Sequence, residues 1–96
     1  MNAKFLSNLG LCRRAGALFL GAEAVAAAIR GGEAAVVFAA RDISEKSYKK
    51  LVTATEFYKV KLQKTDYTMA ELSDALGVSG NVAAVAVKRS TFVNLF

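Results

Sequence analysis

The stretch Ala34-Ala35-Val36-Val37-Phe38-Ala39-Ala40 decides how the rest of the chain is read. It is apolar without alternation, whereas a strand with one wet face would alternate polar and apolar residues. A run of this kind suits a strand covered on both faces, so it is expected in the centre of a sheet. It is also among the longest apolar runs in the sequence and falls far below the ~20 residues that cross a bilayer, which argues against a membrane span.

Upstream, Gly31-Gly32 stops the segment Ala22-Glu23-Ala24-Val25-Ala26-Ala27-Ala28-Ile29-Arg30, whose alanines are the strongest helix formers. Before it, Ala17 to Leu20 reads as a short strand entering the helix through Gly21. Phe5, Leu6, Leu9 and Cys12 recur at helical spacing and predict a first helix over about residues 3–14, ended by Gly16. Downstream, Ser44 is a good N-cap and Glu45 suits the positive helix end. Tyr48, Leu51, Val52 and Thr55 form one face of a helix reaching about Tyr58, with Lys46, Lys49 and Lys50 facing away. Val60 to Gln63 reads as a strand, Thr68-Met69-Ala70-Glu71 as a capping box for a helix up to Gly77, and Asn81 to Lys88 as the last strand. Ser90 is expected to cap a short C-terminal helix. Helices alternating with doubly covered strands imply an α/β fold, a three-layer α/β/α sandwich around a central four-stranded, mostly buried sheet. Strand order does not follow from this pattern.

The 96 residues make one domain, 1–96, with a hydrophobic share of 54% in which alanine promises close packing. Thirteen Lys and Arg against eight Asp and Glu, with no histidine, give a net charge of +5 and a surface that favours polyanions: RNA, DNA or anionic lipid. Arg41, Lys46, Lys49, Lys50, Lys59, Lys61 and Lys64 concentrate seven of the thirteen cations, although spread charge is often only a solvated face. Leu9-Gly10-Leu11-Cys12 superficially resembles a lipoprotein cleavage site, but Asn8 interrupts the apolar stretch and Arg13-Arg14 follow at once, so no export signal is read. One cysteine allows no internal disulfide and no cysteine metal cluster; this fits a cytoplasmic protein in which Cys12 is a small buried residue.

The usual routes to catalysis lack their parts. There is no histidine, no base to activate Cys12, and no carboxylate cluster at metal-ligand spacing, so neither an enzyme, a metal site nor a cofactor is expected. Gly31-Gly32 sits at a helix end and reads as a C-cap, not a nucleotide loop. Asp42 follows the central strand and reads as a turn residue. The turn Leu20-Gly21-Ala22-Glu23 is more informative. A strand passes through glycine into a helix whose free N–H groups attract phosphate or base-edge acceptors, and the small Gly21, Ala22 and Ala24 leave room for an RNA backbone. The same turn also reads as a tight connection in which Glu23 complements the helix dipole, and by themselves these residues favour that plainer reading slightly.

The order of elements, with Leu9-Gly10-Leu11-Cys12-Arg13-Arg14-Ala15-Gly16 and the stretch from Gly21 to Gly32, resembles the L-seven-Ae and L-thirty-e type ribosomal proteins, and more narrowly their short bacterial YlxQ-like members. The likeness continues through Ala34 to Asp42, the helix from Ser44, Glu71-Leu72 to Gly77, and Val82 to Val87, which covers nearly the whole chain. It implies an α/β/α sandwich that binds kink-turn or related structured RNA, with the ribosome or another RNA–protein particle as its setting. The family's RNA-reading turn has the form Gly-x-Asn-Glu-x-x-Lys. Here Gly21 is kept, while Glu23 stands at the Asn position, Ala24 at the Glu and Ala27 at the Lys. Polar contacts to base edges are worth roughly 1–3 kcal/mol each, so losing two or three of them is enough to abolish selective kink-turn recognition while leaving general phosphate attraction. The family's second RNA-facing loop corresponds to Val78-Ser79-Gly80-Asn81-Val82, which also reads as a plain solvent loop.

The expected RNA-binding residues are therefore Gly21, Ala22, Glu23, Ala24, Ala27, Val78, Ser79, Gly80, Asn81 and Val82, with Arg13 and Arg14 as adjacent cations. The competing expectation is a protein-interaction module in which the RNA turn has decayed and Phe92-Val93-Leu95-Phe96 docks on a partner or a second copy. The sequence leaves the particular RNA and the oligomeric state open.

Overall fold

The computed structural model describes residues 3–96. Four α-helices alternate with four strands: α1 (Ala3–Arg14), β1 (Leu18–Leu20), α2 (Ala22–Arg30), β2 (Ala34–Ala39), α3 (Glu45–Tyr58), β3 (Lys61–Lys64), α4 (Met69–Leu76) and β4 (Ala84–Lys88), followed by a 3-10 helix over Thr91–Leu95. The sheet order is β1-β4-β2-β3. Strand β4 is antiparallel to both neighbours, and β2 and β3 run parallel.

The two central strands are the two long apolar runs. Their alternate side chains enter two separate cores. Val36, Phe38, Val85 and Val87 join Phe5, Leu9, Cys12, Leu72 and Leu76 beneath α1 and α4. Val37, Ala39, Ala84 and Ala86 join Val25, Ile29 and Leu51 beneath α2 and α3. Ala34 belongs to this second core although it is two residues from Val36, because the register shifts between them at a bulge. Alanine lines the α2 side of the sheet, so that helix lies close to the strands. This is the three-layer arrangement expected from the sequence. The edge strand β3 departs from the buried pattern: Lys61, Gln63 and Lys64 are exposed, and lysines on an edge discourage pairing with another chain.

Local chemistry sets the ends of the elements. Ser44 Oγ accepts the N–H of Ser47 at 3.2 Å. The capping box is complete: Thr68 Oγ1 accepts from Glu71 N at 3.1 Å, and Thr68 N donates to Glu71 Oε1 at 2.8 Å. Asp42 does more than turn the chain, since its Oδ1 accepts the N–H of Met69 at 2.8 Å and ties the end of β2 to the start of α4. Strand β1 begins one residue later than expected because Ala17 N donates to Cys12 O at 2.8 Å and closes α1. Strand β3 begins after Val60, whose N–H closes α3 on Thr55 O at 2.8 Å. Strand β4 begins at Ala84 and not Asn81, because the N–H of Val82 is held by the Ser73 side chain. Ser90 Oγ caps the last helix, accepting from Phe92 N at 3.3 Å. That segment folds back on the body: Asn8 Nδ2 donates to Leu95 O at 3.2 Å, and the Phe96 ring lies 5.8 Å from Phe5 and 5.3 Å from Phe38.

Candidate nucleic-acid interface

The strand directions bring the ends of β1, β2 and β3 and the start of β4 to one end of the sheet. There Gly21 N donates to Ala84 O at 2.9 Å, Ala40 N to Ala83 O at 2.8 Å, and Arg41 N to Tyr67 O at 2.7 Å. Thr65, which follows β3, is buried and sends both its N–H and its hydroxyl to Ala39 O, at 2.8 and 2.9 Å. Four loops thus share a rigid rim.

Gly21 is the corner of that rim. Its φ of 94° and ψ of 151° lie where only glycine is comfortable, and this conformation turns β1 directly into α2. A glycine brings no side chain to accept from the first helical amides, and no side-chain cap is present. Only Val25 N closes on Gly21 O, at 2.9 Å. The positive end of α2 is consequently open at the surface, with Ala22 half-buried and Glu23, Ala24 and Ala27 exposed. Helix α3 starts beside it: Ala22, Glu23, Ala26, Ser47 and Lys50 line a shared groove of about 440 Å³. Lys50 makes the groove attractive to anions, while the Glu23 carboxylate opposes them.

The loop before β4 is pinned at both ends and bare between. Gly77 closes α4 in the left-handed conformation (φ 68°), Val78 N donates to Ser73 O at 3.0 Å, and buried Val82 donates to Ser73 Oγ at 2.8 Å. Ser79, Gly80 and Asn81 are exposed, and Gly80 has a positive φ of 85°. Two residues after Val82 the chain reaches Ala84, the hydrogen-bond partner of Gly21. The structure therefore joins the Gly21–Ala24 turn and the Val78–Val82 loop in one surface, with Ala27 one helical turn further along α2.

Arg13 and Arg14 are not brought there. They precede β1, whose first residues pair with the far end of β4 through Leu18 and Val87. Gly21 is reached only after the strand, about 10 Å on at ~3.3 Å per residue. Arg14 instead lines a groove between α1 and α4 with Leu6, Gly10 and Ala75. The cations near the rim are Arg41, directly after β2, and Lys46 and Lys50 on the first turns of α3, all exposed. Their signal in the sequence was a cation after a central strand and an i, i+4 lysine pair behind an N-cap. Nothing local to those residues announces that they meet Gly21.

Cys12 is fully buried, and burial pushes its thiol pKa up, away from the thiolate form. Among the described residues no group of three or more His, Cys, Asp or Glu could hold a metal ion. Nor is any helix among them long and apolar enough to cross a membrane.

The sequence model of the ribosomal protein L7Ae/L30e/S12e/Gadd45 family matches residues 3–95. The chain belongs to this family. It is 35% identical over 74 residues to the RNA-binding protein YlxQ of Enterococcus faecium, a match covering 77% of this chain and 71% of that protein. A solved structure of a protein of unknown function from Bacillus halodurans superposes with a TM-score of 0.87 at 29% identity, covering 98% of this chain and 94% of the other. The 15.5kD RNA binding protein of Giardia lamblia shares the fold, with a TM-score of 0.81 at 19% identity over 96% of this chain and 78% of that one.

Proposed function

We propose that this L7Ae-family chain is a non-catalytic RNA-binding domain of the cytoplasm, docking structured RNA of the kink-turn kind at the Gly21 end of its sheet, with the ribosome as its setting. The observation that carries the proposal is the uncapped start of α2, held at the surface by the Gly21–Ala84 hydrogen bond beside the exposed Ser79-Gly80-Asn81 loop. Backbone amides at a helix start donate to phosphate oxygens or base-edge acceptors, and Arg41, Lys46 and Lys50 supply the long-range attraction. The names of the YlxQ and 15.5kD relatives as RNA-binding proteins agree with this reading.

Filter binding against a kink-turn RNA and a duplex of equal charge tests it. Preferential binding of the kink-turn is expected; equal or absent binding to both removes the specific claim. Affinity should also fall with salt, with a log–log slope of roughly −0.7 to −0.9 per phosphate contacted. The alternative, docking of a partner through the apolar C-terminus, would draw on Leu95 and Phe96, which are exposed, while the rest of that segment is engaged. Phe92 and Val93 pack against the α1 side of the core, and Phe96 leans on Phe5 and Phe38.

A further inference from the structure

The outer face of α2 and α3, away from the sheet, carries a feature that docking at the Gly21 rim does not use. Phe57, in the last turn of α3, is 76% exposed, although a phenylalanine side chain gains roughly 1.5–3 kcal/mol from full burial. Its ring is steadied by Tyr58, whose ring stands edge to face with it at 4.8 Å and 75°. With so much of its surface exposed, the Phe57 ring remains largely open to solvent. Around the two rings, Arg30 from the last turn of α2 and Lys46, Lys49 and Lys50 from α3 line a shallow groove of about 720 Å³ whose lining holds no carboxylate. Lys46, Lys50 and Phe57 fall on one stripe of the helix, at spacings of four and seven residues. That stripe begins beside the α2 N-terminus, where Lys50 also lines the groove of Ala22 and Glu23, and ends about 16 Å away at 1.5 Å per residue.

The geometry points to a second RNA contact here: an unpaired strand running from the Gly21 rim along α3, with its phosphates on Lys46, Lys50 and Arg30 and a base stacked on Phe57. Cations along a track with an exposed aromatic ring at its end are the arrangement that binds single-stranded nucleic acid, since every base has a face to stack and every nucleotide a phosphate. A second copy of the chain would set like charges against each other. A membrane surface would call for a broad apolar face, and the apolar face of α3 is spent on the core through Leu51 and Thr55. The inference takes RNA as the ligand of the chain but does not depend on kink-turn recognition at the rim.

The test uses the whole protein and three RNAs: a kink-turn with blunt ends, the same kink-turn with an unpaired oligouridine extension, and the oligouridine alone. The extension is expected to raise affinity about tenfold, and Phe57→Ala to abolish that gain while leaving the blunt RNA bound as before. The chain has no tryptophan, so Phe57→Trp provides a single tryptophan, excited apart from the tyrosines, whose emission stacking should quench when the extended RNA binds and not when the blunt one does. Blunt RNA left unbound with oligouridine still bound in a Phe57-dependent way would overturn the kink-turn reading and support this one. An extension that adds nothing, or adds equally to wild type and Phe57→Ala, would overturn this one. So would an acidic polypeptide such as polyglutamate quenching the tryptophan as well as oligouridine does, because it would give the face to a protein.

Discussion

The hydroxyl of Ser73 accepts the backbone N–H of Val82 at 2.8 Å, with both residues buried. This bond pins the far end of the loop before β4 to α4 and delays the start of the strand. In Ser73→Ala that N–H has no acceptor, which costs about 1–3 kcal/mol. For a domain of this size the melting temperature should fall by about 4–8 °C per kcal/mol. Thermal melting measures the loss, and hydrogen exchange should show the Val82 amide opening faster than amides in β2. An unchanged melting temperature would mean that the loop is held by something else.

Gly21 and Gly77 both have positive φ, yet they should respond differently to substitution. A Cβ at either would meet nothing within 4 Å, so the cost lies in the backbone alone. At Gly21 the pair φ 94°, ψ 151° is closed to other residues, and Gly21→Ala should destabilise by about 1–3 kcal/mol. Gly77 sits at φ 68°, ψ 31°, a left-handed helix end that asparagine tolerates, so Gly77→Asn should cost less than about 1 kcal/mol. Urea unfolding of the two variants checks the difference.

Much of the fold was legible because its signals are local. The apolar run from Ala34 says that both faces are covered, Ser44 and the Thr68–Glu71 pair announce their helices, and Gly31-Gly32 ends α2. What was not legible depends on partners distant in sequence. The order β1-β4-β2-β3 follows from pairings such as Phe38 with Val85, and no residue of either strand specifies them alone. Asp42 reads as a turn residue until Met69, far along the chain, is seen to donate to it. In the candidate site, the Gly21 turn and the Val78–Val82 loop were each singled out by small and polar residues, but their meeting at Ala84 is a matter of strand pairing that neither segment announces. Arg13 and Arg14 were grouped with them by charge, whereas the strand between them and Gly21 sets them apart, and Arg41, Lys46 and Lys50 occupy the place expected of them. Phe57 looks in sequence like one more apolar residue of α3; only its exposure marks it out.

Glu71 gives the stability of α4 a pH dependence. The N–H of Thr68, and after it the Thr68 hydroxyl contact, hold the Glu71 carboxyl below its ordinary value of 4.5, with Arg41 adding to the same direction. A carboxyl whose pKa is lower in the folded than in the unfolded chain stabilises the fold fully above the ordinary value, and this contribution is lost as pH falls through the lowered one. Glu71→Gln should therefore flatten part of the acid limb. Urea midpoints measured between about pH 3 and 6 should converge for variant and wild type at the acid end and separate above 4.5, with wild type the more stable. Parallel curves would remove Glu71 as the source.

The last expectation concerns the residues that depart from the family's RNA-reading turn. Glu23, Ala24 and Ala27 are all exposed at or just past the open start of α2, so new side chains there would meet solvent and not the core. Glu23→Asn alone removes the carboxylate that opposes phosphate beside Lys50, and should tighten binding of any RNA, duplex included. Polar side chains at the other two positions should add discrimination to whatever the backbone of the corner supplies. The combined variant Glu23→Asn, Ala24→Glu, Ala27→Lys restores the full polar pattern, and each base-edge contact regained is worth roughly 1–3 kcal/mol against the wrong partner. Its ratio of kink-turn to duplex affinity should rise by at least about tenfold over that of Glu23→Asn, which corresponds to 1.4 kcal/mol and so to one contact regained. Competition binding at fixed salt measures the ratio directly. If the triple variant gains affinity for both RNAs in equal proportion, the Gly21 corner attracts phosphate without reading bases, and kink-turn recognition does not reside in this turn.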